Sequence, residues 1–314
     1  MMEMGHEMGN CRQAYGQALK TLGETDRRIV ALEADLGKST MSNIFGQAFP
    51  DRYFQVGIAE QNMASMAAGF ALTGKTAFIH SFAVFASGRA YDQIRSSICI
   101  PKLNVKICGS SAGLSDFGDG KTHQSIDDIA IMRVLPNMTV LSPVDSVETV
   151  QMVKAMCEHS GPCYIRINRN DMPIYTNVDE EYHIGKMRMI RDGKDAVVFA
   201  TGIMVSRAVM AAESLEQEGV SVRVVNVSTI KPLDVQALKG FCEGTRGAVT
   251  AEEHSIYGGL GSAVCEALAA EKLPIAIIGI NDSFGLSAEN YDVLLEKYNL
   301  TAGAIAAKVK QIIG

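Results

Sequence analysis

The feature of this sequence that most limits its fold is the alternation of short apolar runs, rich in β-branched residues, with longer stretches of helical character. Such alternation is typical of α/β units built around a mostly parallel sheet. In the first half of the chain it predicts strands at 29–32, 53–55, 76–80, 105–108, 138–141 and 163–167. The helices predicted between these strands are 11–21, 61–72, 85–98 and 146–159.

A polar stretch without clear periodicity interrupts this alternation after the sixth strand, and we interpret residues 176–193 as a linker. The alternation then resumes, with predicted strands at 196–200, 221–227, 247–250 and 275–279 and predicted helices at 205–218, 235–242 and 261–270. The 314 residues suit two domains of roughly 150 residues each. We therefore predict an α/β protein with domains at 1–175 and 194–314, each a mostly parallel sheet flanked by helices.

Composition excludes several classes of function. The formal net charge is −6 and no basic cluster occurs, so no nucleic-acid partner is expected. No apolar run approaches the roughly 18 residues of a membrane span, and residues 1–10 lack the apolar core of a signal peptide. The seven cysteines contain no CxxC pair, which favours reduced thiols. We expect a cytoplasmic protein that does not bind a membrane.

Two possible motifs, for a bound phosphate and for a metal ion, are too incomplete to indicate a function. The run Gly118-Asp119-Gly120-Lys121-Thr122 resembles the end of a phosphate-binding P-loop, but Ser115 stands where that pattern requires a glycine. The six histidines show no HxH or HxxxH spacing, so no metal site made by this chain alone is expected.

Three segments together form a stronger pattern. Residues 56–62 read Val-Gly-Ile-Ala-Glu-Gln-Asn, and they place Glu60 at the start of an apolar helix, where a carboxylate could also be a simple cap. About twenty residues later, Phe82 and Phe85 follow an apolar strand. A polar, glycine-rich loop at 113–124 then follows the next strand, and α/β proteins bind their ligands at such strand ends.

These segments, in this order and spacing, resemble the transketolase family, which includes deoxyxylulose-phosphate synthase. The most specific parts are Gly-Ile-Ala-Glu-Gln-Asn at 57–62, the Phe-x-x-Phe pair and Asp-Gly-Lys-Thr-His-Gln at 119–124. The runs 252–255 and 258–261 look like the family's C-terminal signature. The resemblance runs from about Arg12 to the end of the chain, and it implies a pyrimidine-binding domain of the thiamine-diphosphate-binding fold followed by a transketolase C-terminal domain.

The resemblance implies a site for the pyrimidine end of thiamine diphosphate. Glu60 would hydrogen-bond the aminopyrimidine ring and stabilise its imino tautomer, because a carboxyl group facing a ring nitrogen favours proton sharing. Phe82 and Phe85 would pack against the flat ring. The family usually has a Tyr three residues after the second Phe, where Gly88 stands here. Asp35 matches a family aspartate near the cofactor and the subunit interface.

The resemblance also implies which residues contact the substrate. His123 would face the carbonyl and hydroxyl oxygens of the substrate as a donor or proton carrier, and Asp119 would contact a sugar hydroxyl.

Further substrate residues would bind the anion at the end of the sugar. Arg12, Ser39 and Arg169 match the family's phosphate-binding positions, and two guanidinium groups with a hydroxyl suit an anion. A fourth position, normally His, aligns with Ser111. A sugar phosphate is therefore expected, while a sulfonated sugar or a shorter acceptor stays open.

The Gly118-Asp119-Gly120 run lacks the Asn that completes a Mg²⁺-diphosphate motif, since residues 140–145 contain none. We therefore expect the Mg²⁺ and diphosphate site on a separate N-terminal transketolase subunit, in an α2β2 assembly. The expected function is the C-terminal subunit of a transketolase, a transferase that moves a two-carbon ketol unit between a ketose phosphate and an aldose phosphate and is active only with its partner.

Three alternatives remain at this level. The chain could belong to a deoxyxylulose-phosphate synthase-like enzyme or be the β subunit of a 2-oxoacid dehydrogenase, which shares the domain pair. A non-catalytic regulatory paralogue is the third. The residues at 57–62 and 119–124 favour transketolase over the dehydrogenase, and intact Glu60, Asp119 and His123 argue against the paralogue.

Overall fold

The structure is a computed structural model that describes residues 7–314. Its strands are β1 (Met8–Asn10), β2 (Ile29–Glu33), β3 (Tyr53–Gln55), β4 (Thr76–Phe82), β5 (Val105–Ser110), β6 (Thr139–Leu141), β7 (Cys163–Ile167), β8 (Asp171–Pro173), β9 (Arg188–Arg191), β10 (Ala196–Ala200), β11 (Val222–Asn226), β12 (Thr229–Lys231), β13 (Ala248–Ser255) and β14 (Ile275–Ile280). These strands form the two sheets and one short ribbon described below.

The α-helices are α1 (Cys11–Thr25), α2 (Gly37–Thr40), α3 (Asn43–Ala48), α4 (Glu60–Leu72), α5 (Tyr91–Gln93), α6 (Asp128–Arg133), α7 (Ser146–Glu158), α8 (Met204–Glu216), α9 (Val235–Cys242), α10 (Leu260–Ala267), α11 (Tyr291–Lys297) and α12 (Ala302–Ile313). Two π-helical segments, Val84–Arg89 and Ile94–Cys99, flank α5. Short 3₁₀ turns occur at Pro50–Arg52 and Gly120–Thr122. None of the helices within residues 7–314 is long and apolar enough to cross a membrane.

The first sheet has the strand order β12-β6-β7-β5-β4-β2-β3. Its pairs are parallel except for β12, which runs antiparallel to β6 at the edge. Apolar side chains of α1 and α7 pack in one core cluster, and those of α4 and the second π-helical segment pack in another. A parallel sheet must be covered on both faces, and these two helical layers provide the cover.

The second sheet has the strand order β14-β13-β10-β11-β9. It is parallel apart from β9, an antiparallel edge strand next to β11. The strand β9 lies within the stretch interpreted as a linker, so four residues of that stretch belong to this sheet. The prediction of an α/β fold with two helix-flanked, mostly parallel sheets is confirmed.

The two halves of the chain are joined by more than a connecting segment. The strand β12 follows β11 in the second half but pairs with β6 of the first sheet. One apolar cluster extends from α1 and α7 to α8 and β10. The ribbon of β1 and β8 further ties the start of the described chain to the segment after β7. The sequence did not predict these short strands, because their pairing joins segments that lie far apart in the chain.

The helix predicted at 85–98 is a π–α–π succession rather than a regular α-helix. Each π turn accommodates one extra residue, and such turns are frequent at functional sites. This succession changes which side chains follow Phe85 on the face toward α4 and places Arg89 there.

Candidate active site

The predicted site residues lie beyond the carboxyl ends of five strands that are contiguous in the first sheet, β7, β5, β4, β2 and β3. Asp35 and Ser39 follow β2, Glu60 follows β3, and Phe82 ends β4. Ser111 follows β5 and Arg169 follows β7. Parallel strands bring all of their carboxyl ends to one edge, and this edge is where α/β folds bind ligands.

Glu60 is the first residue of α4, and it is 1% exposed. Its carboxylate has a cationic partner, since Nη1 of Arg89 lies 2.9 Å from both oxygens. The hydroxyl of Ser81 donates to Oε1 at 3.4 Å. The aligned peptide dipoles of α4 add a favourable partial positive charge at this helix N-terminus. Glu60 is therefore a buried, paired carboxylate and not a solvent-exposed cap.

Aromatic rings form a wall beside this carboxylate. The rings of Phe82 and Phe85 lie 6.2 Å apart with their planes 17° from parallel. The imidazole of His123 stands edge-on to both rings, with centroids 6.2 Å from Phe82 and 5.3 Å from Phe85. The fold thus brings Glu60, the two Phe residues and His123 into one cluster from three separate segments.

Arg89 is a site residue that the sequence reasoning missed. Its guanidinium carbon lies 4.4 Å from the centroid of the Phe85 ring, within the range of a cation–π contact. Gly88 is exposed, and a Cβ added there would meet no atom within 4 Å. The π turn directs residue 89, one position after the family's Tyr, toward Glu60. An arginine next to the expected aromatic position was the signal available in the sequence.

Two arginines lie close to each other, and one of them also lies near the Phe82 ring. Nη1 of Arg12 donates to the backbone oxygen of Ser39 at 2.8 Å. Arg169 donates to Oδ2 of Asp116 at 2.7 Å, and its guanidinium carbon lies 5.9 Å from the Phe82 ring centroid. Burial, and then the nearby positive charge of Arg169, lowers the pKa of Arg12. Arg12, Ser39 and Arg169 therefore form one cationic group next to the aromatic wall.

This cationic group has spare hydrogen-bonding capacity. Nε of Arg12 is buried and finds no acceptor in the described part of the chain. Asp116, which the sequence reasoning also missed, lies next to Arg169 and is 3% exposed. Burial raises the pKa of Asp116, and the charge of Arg169 opposes that rise. An anion with several acceptor oxygens would satisfy the unpaired donor.

Ser111 is fully buried and has a left-handed backbone, with φ of 54°. Its hydroxyl has no hydrogen-bond partner within residues 7–314. Ser110 beside it on β5 is also buried with an unpaired hydroxyl. Ser111 thus offers a free polar group at the position where the family has His, although Ser111 contributes no charge.

Asp35 and Asp119 are placed differently from the rest of the predicted site. Both are exposed, and neither carboxylate forms a hydrogen bond or ion pair with another predicted site residue in the described chain. Asp35 has φ of 64°, and its backbone N–H donates to Gln55 at 2.9 Å. Asp119 precedes the 3₁₀ turn that leads to His123, where Thr122 contacts the imidazole Nδ1 at 3.0 Å.

Comparisons with known proteins identify the family of the chain. Residues 8–174 match the transketolase pyrimidine-binding domain, and residues 185–305 match the transketolase C-terminal domain. The chain belongs to the transketolase family. The two matched domains together span most of the 314 residues, and the resemblance identified from the sequence is confirmed.

Several members of the family have the same extent as this chain. A protein of Methanocaldococcus jannaschii provisionally named a transketolase C-terminal section is 42% identical, covering 99% of this chain and 98% of the relative. The 6-deoxy-6-sulfo-D-fructose transketolase subunit SqwH of Clostridium sp. (strain MSTE9) is 40% identical, covering 96% and 94%. This transketolase-family chain therefore corresponds to a C-terminal subunit.

A solved structure gives the same picture. The structure described as a split gene transketolase, inactive beta4 tetramer, is 46% identical and superposes with a TM-score of 0.88. The superposition covers 97% of this chain and 98% of the chain of the solved structure. The split-subunit assignment made from the sequence is thus supported by both relatives and structure.

Proposed function

We propose that this chain is the C-terminal subunit of a thiamine-diphosphate-dependent transketolase. The observation that carries the proposal is the buried carboxylate of Glu60, held 2.9 Å from Arg89 beside the Phe82–Phe85 wall. The enzyme would transfer a two-carbon ketol unit from a ketose phosphate to an aldose phosphate. Arg12 and Arg169 next to the same wall provide the charge that a sugar anion needs.

The donor set fits the pyrimidine end of the cofactor. Glu60 would accept or share a proton with a ring nitrogen, and Phe82 and Phe85 offer flat apolar faces. When bound, thiamine diphosphate supplies the group that stabilises negative charge on the reacting carbon. No group of three His, Cys, Asp or Glu residues within 7–314 is placed to hold a metal ion, so Mg²⁺ and the diphosphate are assigned to the partner subunit.

The chain's own residues would bind and orient the sugar. Arg12, Ser39 and Arg169 would bind its terminal anion. His123 uses Nδ1 to contact Thr122, which leaves Nε2 to hold or donate a proton at a substrate oxygen. Asp119, exposed on the same loop, would contact a sugar hydroxyl, and Asp35 would lie near the cofactor and the subunit interface.

A separate N-terminal subunit completes the site in this proposal, in an α2β2 assembly. The related solved structure is described as an inactive tetramer of β chains, which supports the need for a second kind of subunit. The relative from Clostridium is likewise named as a subunit.

A sulfonated sugar is a second candidate substrate, and the local charge favours it. Arg12 and Arg169 together carry two positive charges, and Asp116 neutralises one of them through Arg169. The remaining single positive charge matches a sulfonate better than a phosphate dianion. A relative with 40% identity is named for 6-deoxy-6-sulfo-D-fructose, and Ser111 adds no charge where the family has His.

The deciding experiment is an assay of the complex reconstituted with the N-terminal subunit from the same source, Mg²⁺ and thiamine diphosphate. Xylulose 5-phosphate, 6-deoxy-6-sulfofructose and pyruvate are compared as donors, with an aldose phosphate as acceptor. We expect ketol transfer from the sugars and no turnover of pyruvate. A higher kcat/KM for the sulfonated sugar selects the second candidate, and turnover of pyruvate alone contradicts both.

A further inference from the structure

The loop that carries Asp119 and His123 packs against the second half of the chain. We call residues 113–124 the His123 loop. Its middle is held by the backbone N–H of Ala288, which donates to the oxygen of Phe117 at 2.9 Å. Its end is held by Gln124, whose Nε2 donates to the backbone oxygen of Leu286 at 2.9 Å. The segment before α11 therefore braces two points of the loop.

The start of the His123 loop is held by a buried carboxyl group on β13. Glu253 is 2% exposed, and its Oε1 accepts the backbone N–H of Leu114 at 2.6 Å. Gly113 has φ of 64°, and a Cβ added there would lie 2.4 Å from the carboxyl carbon of Glu253. Only glycine allows this close approach, and glycine adopts this left-handed backbone without a steric cost. The C-terminal domain thus fixes where the loop leaves β5.

The same carboxyl group also reaches the segment that carries Arg169. Nδ2 of Asn168 lies 3.4 Å from Oε2 of Glu253 and donates to the hydroxyl of Tyr291 at 2.8 Å. The connection continues through Asn170, which donates to the backbone oxygen of Ser115 at 3.0 Å. One buried carboxyl group therefore contacts both segments that supply the proposed substrate residues.

We propose that Glu253 is a positioning residue: through Leu114 and Asn168 it holds the His123 loop and the Arg169 segment in register with each other. This inference rests on the proposed function, since it gives the C-terminal domain a task in substrate binding. Glu253 lies outside the reacting centre and acts on substrate through His123 and Arg169. A misplacement of a substrate-binding group by about 1 Å can lower the rate of an enzyme on the order of 100-fold. Holding the two segments in register therefore matters for catalysis.

The chain contains a matched control in the adjacent residue. Glu252 is also fully buried on β13, but its carboxylate accepts the backbone N–H groups of Leu260 at 2.6 Å and Gly261 at 2.8 Å. Both contacts cap α10 inside the C-terminal domain and do not involve the His123 loop. A purely structural role of buried carboxylates predicts similar effects for Glu252 and Glu253, whereas positioning predicts different ones.

The first measurement is hydrogen–deuterium exchange on the full chain, which needs no catalytic activity. Glu253→Ala is expected to raise exchange in the His123 loop by about tenfold or more, as a local opening becomes easier. Glu252→Ala is expected to raise exchange at the start of α10 and not in the loop. Unchanged exchange of the loop in Glu253→Ala overturns the proposal.

The second measurement is kinetic, on the complex with the N-terminal subunit. Glu253→Ala is expected to raise KM for the sugar substrates and to lower kcat/KM by roughly 10- to 100-fold. Glu253→Gln keeps an acceptor for Leu114 and is expected to restore part of the loss. Glu252→Ala should leave KM unchanged. Equal losses of kcat/KM in the two Ala variants, or no loss in Glu253→Ala, overturn the proposal.

Two provisions keep the result interpretable. If Glu253→Ala does not fold, Tyr291→Phe removes the hydroxyl that contacts Asn168 and Glu253, and the same changes are expected with smaller size; their absence overturns the proposal. If the wild-type complex shows no ketol transfer, the proposed function fails, and the exchange experiment still decides whether Glu253 positions the loop.

Discussion

Nη1 of Arg89 lies 2.9 Å from both carboxylate oxygens of Glu60, so one exposed cation neutralises the buried anion at the start of α4. The same guanidinium lies over the ring of Phe85. Arg89 therefore contributes both a charge and a flat face next to Phe85. The arrangement links the stability of the chain to the residue expected to act on the cofactor.

The first prediction concerns this pair. Arg89→Ala removes the only described cation bonded to Glu60, and we expect the free energy of unfolding to fall by about 1–3 kcal/mol, because a buried carboxylate loses its charged partner. Combining it with Glu60→Gln should recover much of that loss. Arg95→Ala, an exposed arginine on the second π-helical segment, is the control and should have little effect. Urea unfolding of Arg89→Ala, Glu60→Gln, the double variant and Arg95→Ala measures the coupling between Arg89 and Glu60. Additive effects of the two single substitutions would contradict it.

Apolar runs that alternate with helical stretches were predictable from the sequence. The strands 53–55, 163–167 and 196–200 and the helix 235–242 occur with the predicted limits. The strands 163–167 and 196–200 are mostly apolar runs that are buried at every position, so they stand out from the more polar helical stretches beside them. Although β3 is equally short, the three-residue strands β1, β8 and β12 were not predicted. Their pairing depends on residues far away in the chain.

The candidate site likewise contains residues that the sequence indicates and residues that it does not. Glu60, Phe82, Phe85 and His123 were identifiable because each lies in a motif with characteristic neighbours. Their roles stay predictions, although the structure brings these four side chains together.

The residues that were missed act over long sequence distances. Asp116 pairs with Arg169, 53 residues away, and Glu253 bonds Leu114, 139 residues away. Arg89 was missed for a different reason, since a π turn moves it by one position relative to the motif. Spacing along the sequence does not reveal the long-range pairs, and for Arg89 it offers only an arginine next to the expected aromatic position.

The second prediction tests Glu60 and the proposed chemistry. Glu60→Gln is neutral and similar in shape, so the ring could still bind while proton sharing is lost. We expect kcat to fall by about 100-fold or more in the complex with the N-terminal subunit. Glu24→Gln, an exposed carboxylate of α1 that pairs with Lys20, is the control and should keep full activity. A fully active Glu60→Gln complex would remove Glu60 from the catalytic assignment.

The third prediction concerns Ser111. Its hydroxyl is buried without a partner within residues 7–314, so Ser111→Ala should leave stability unchanged or raise it by up to about 1 kcal/mol. If the hydroxyl binds the sugar anion, KM for the sugar should rise several-fold. Ser110→Ala removes a second buried, unpaired hydroxyl from β5 and should leave KM unchanged. Equal KM values for both variants would exclude Ser111 from the substrate site.

The fourth prediction is a pH dependence of stability caused by Glu148. Its carboxyl group is buried between the two halves of the chain, where Val144 N–H donates at 2.7 Å and the Asn226 amide at 3.0 Å. Burial raises its pKa from 4.5 to about 7. The folded protein therefore holds a proton that the unfolded chain releases. Stability from this group is present at low pH and is lost as the pH rises toward 7.

The test compares wild type with Glu148→Gln, which cannot ionise. Between pH 5 and pH 8 the wild type should lose about 3 kcal/mol more unfolding free energy than the variant, from roughly 1.4 kcal/mol per unit of pKa shift. Urea titrations at both pH values give this difference. Glu158→Gln, an exposed carboxylate on the same helix α7, is the control and should follow the wild type. Parallel pH profiles for wild type and Glu148→Gln would show that Glu148 does not titrate in this range.

The fifth prediction concerns cofactor binding by the isolated chain. The described residues contain a carboxylate and aromatic faces for a pyrimidine, but no cluster of metal ligands. Thiamine diphosphate should therefore bind the isolated chain weakly and independently of Mg²⁺, with an affinity close to that of thiamine. Adding the N-terminal subunit should tighten binding at least 100-fold, since a second set of contacts then becomes intramolecular. Isothermal titration calorimetry measures the affinities with and without Mg²⁺ and the N-terminal subunit. Glu60→Gln should weaken the binding of thiamine and of thiamine diphosphate to the isolated chain by the same factor. Tight, Mg²⁺-dependent binding to the isolated chain would instead require a diphosphate site on this subunit, and the division of the cofactor between two polypeptides would be wrong.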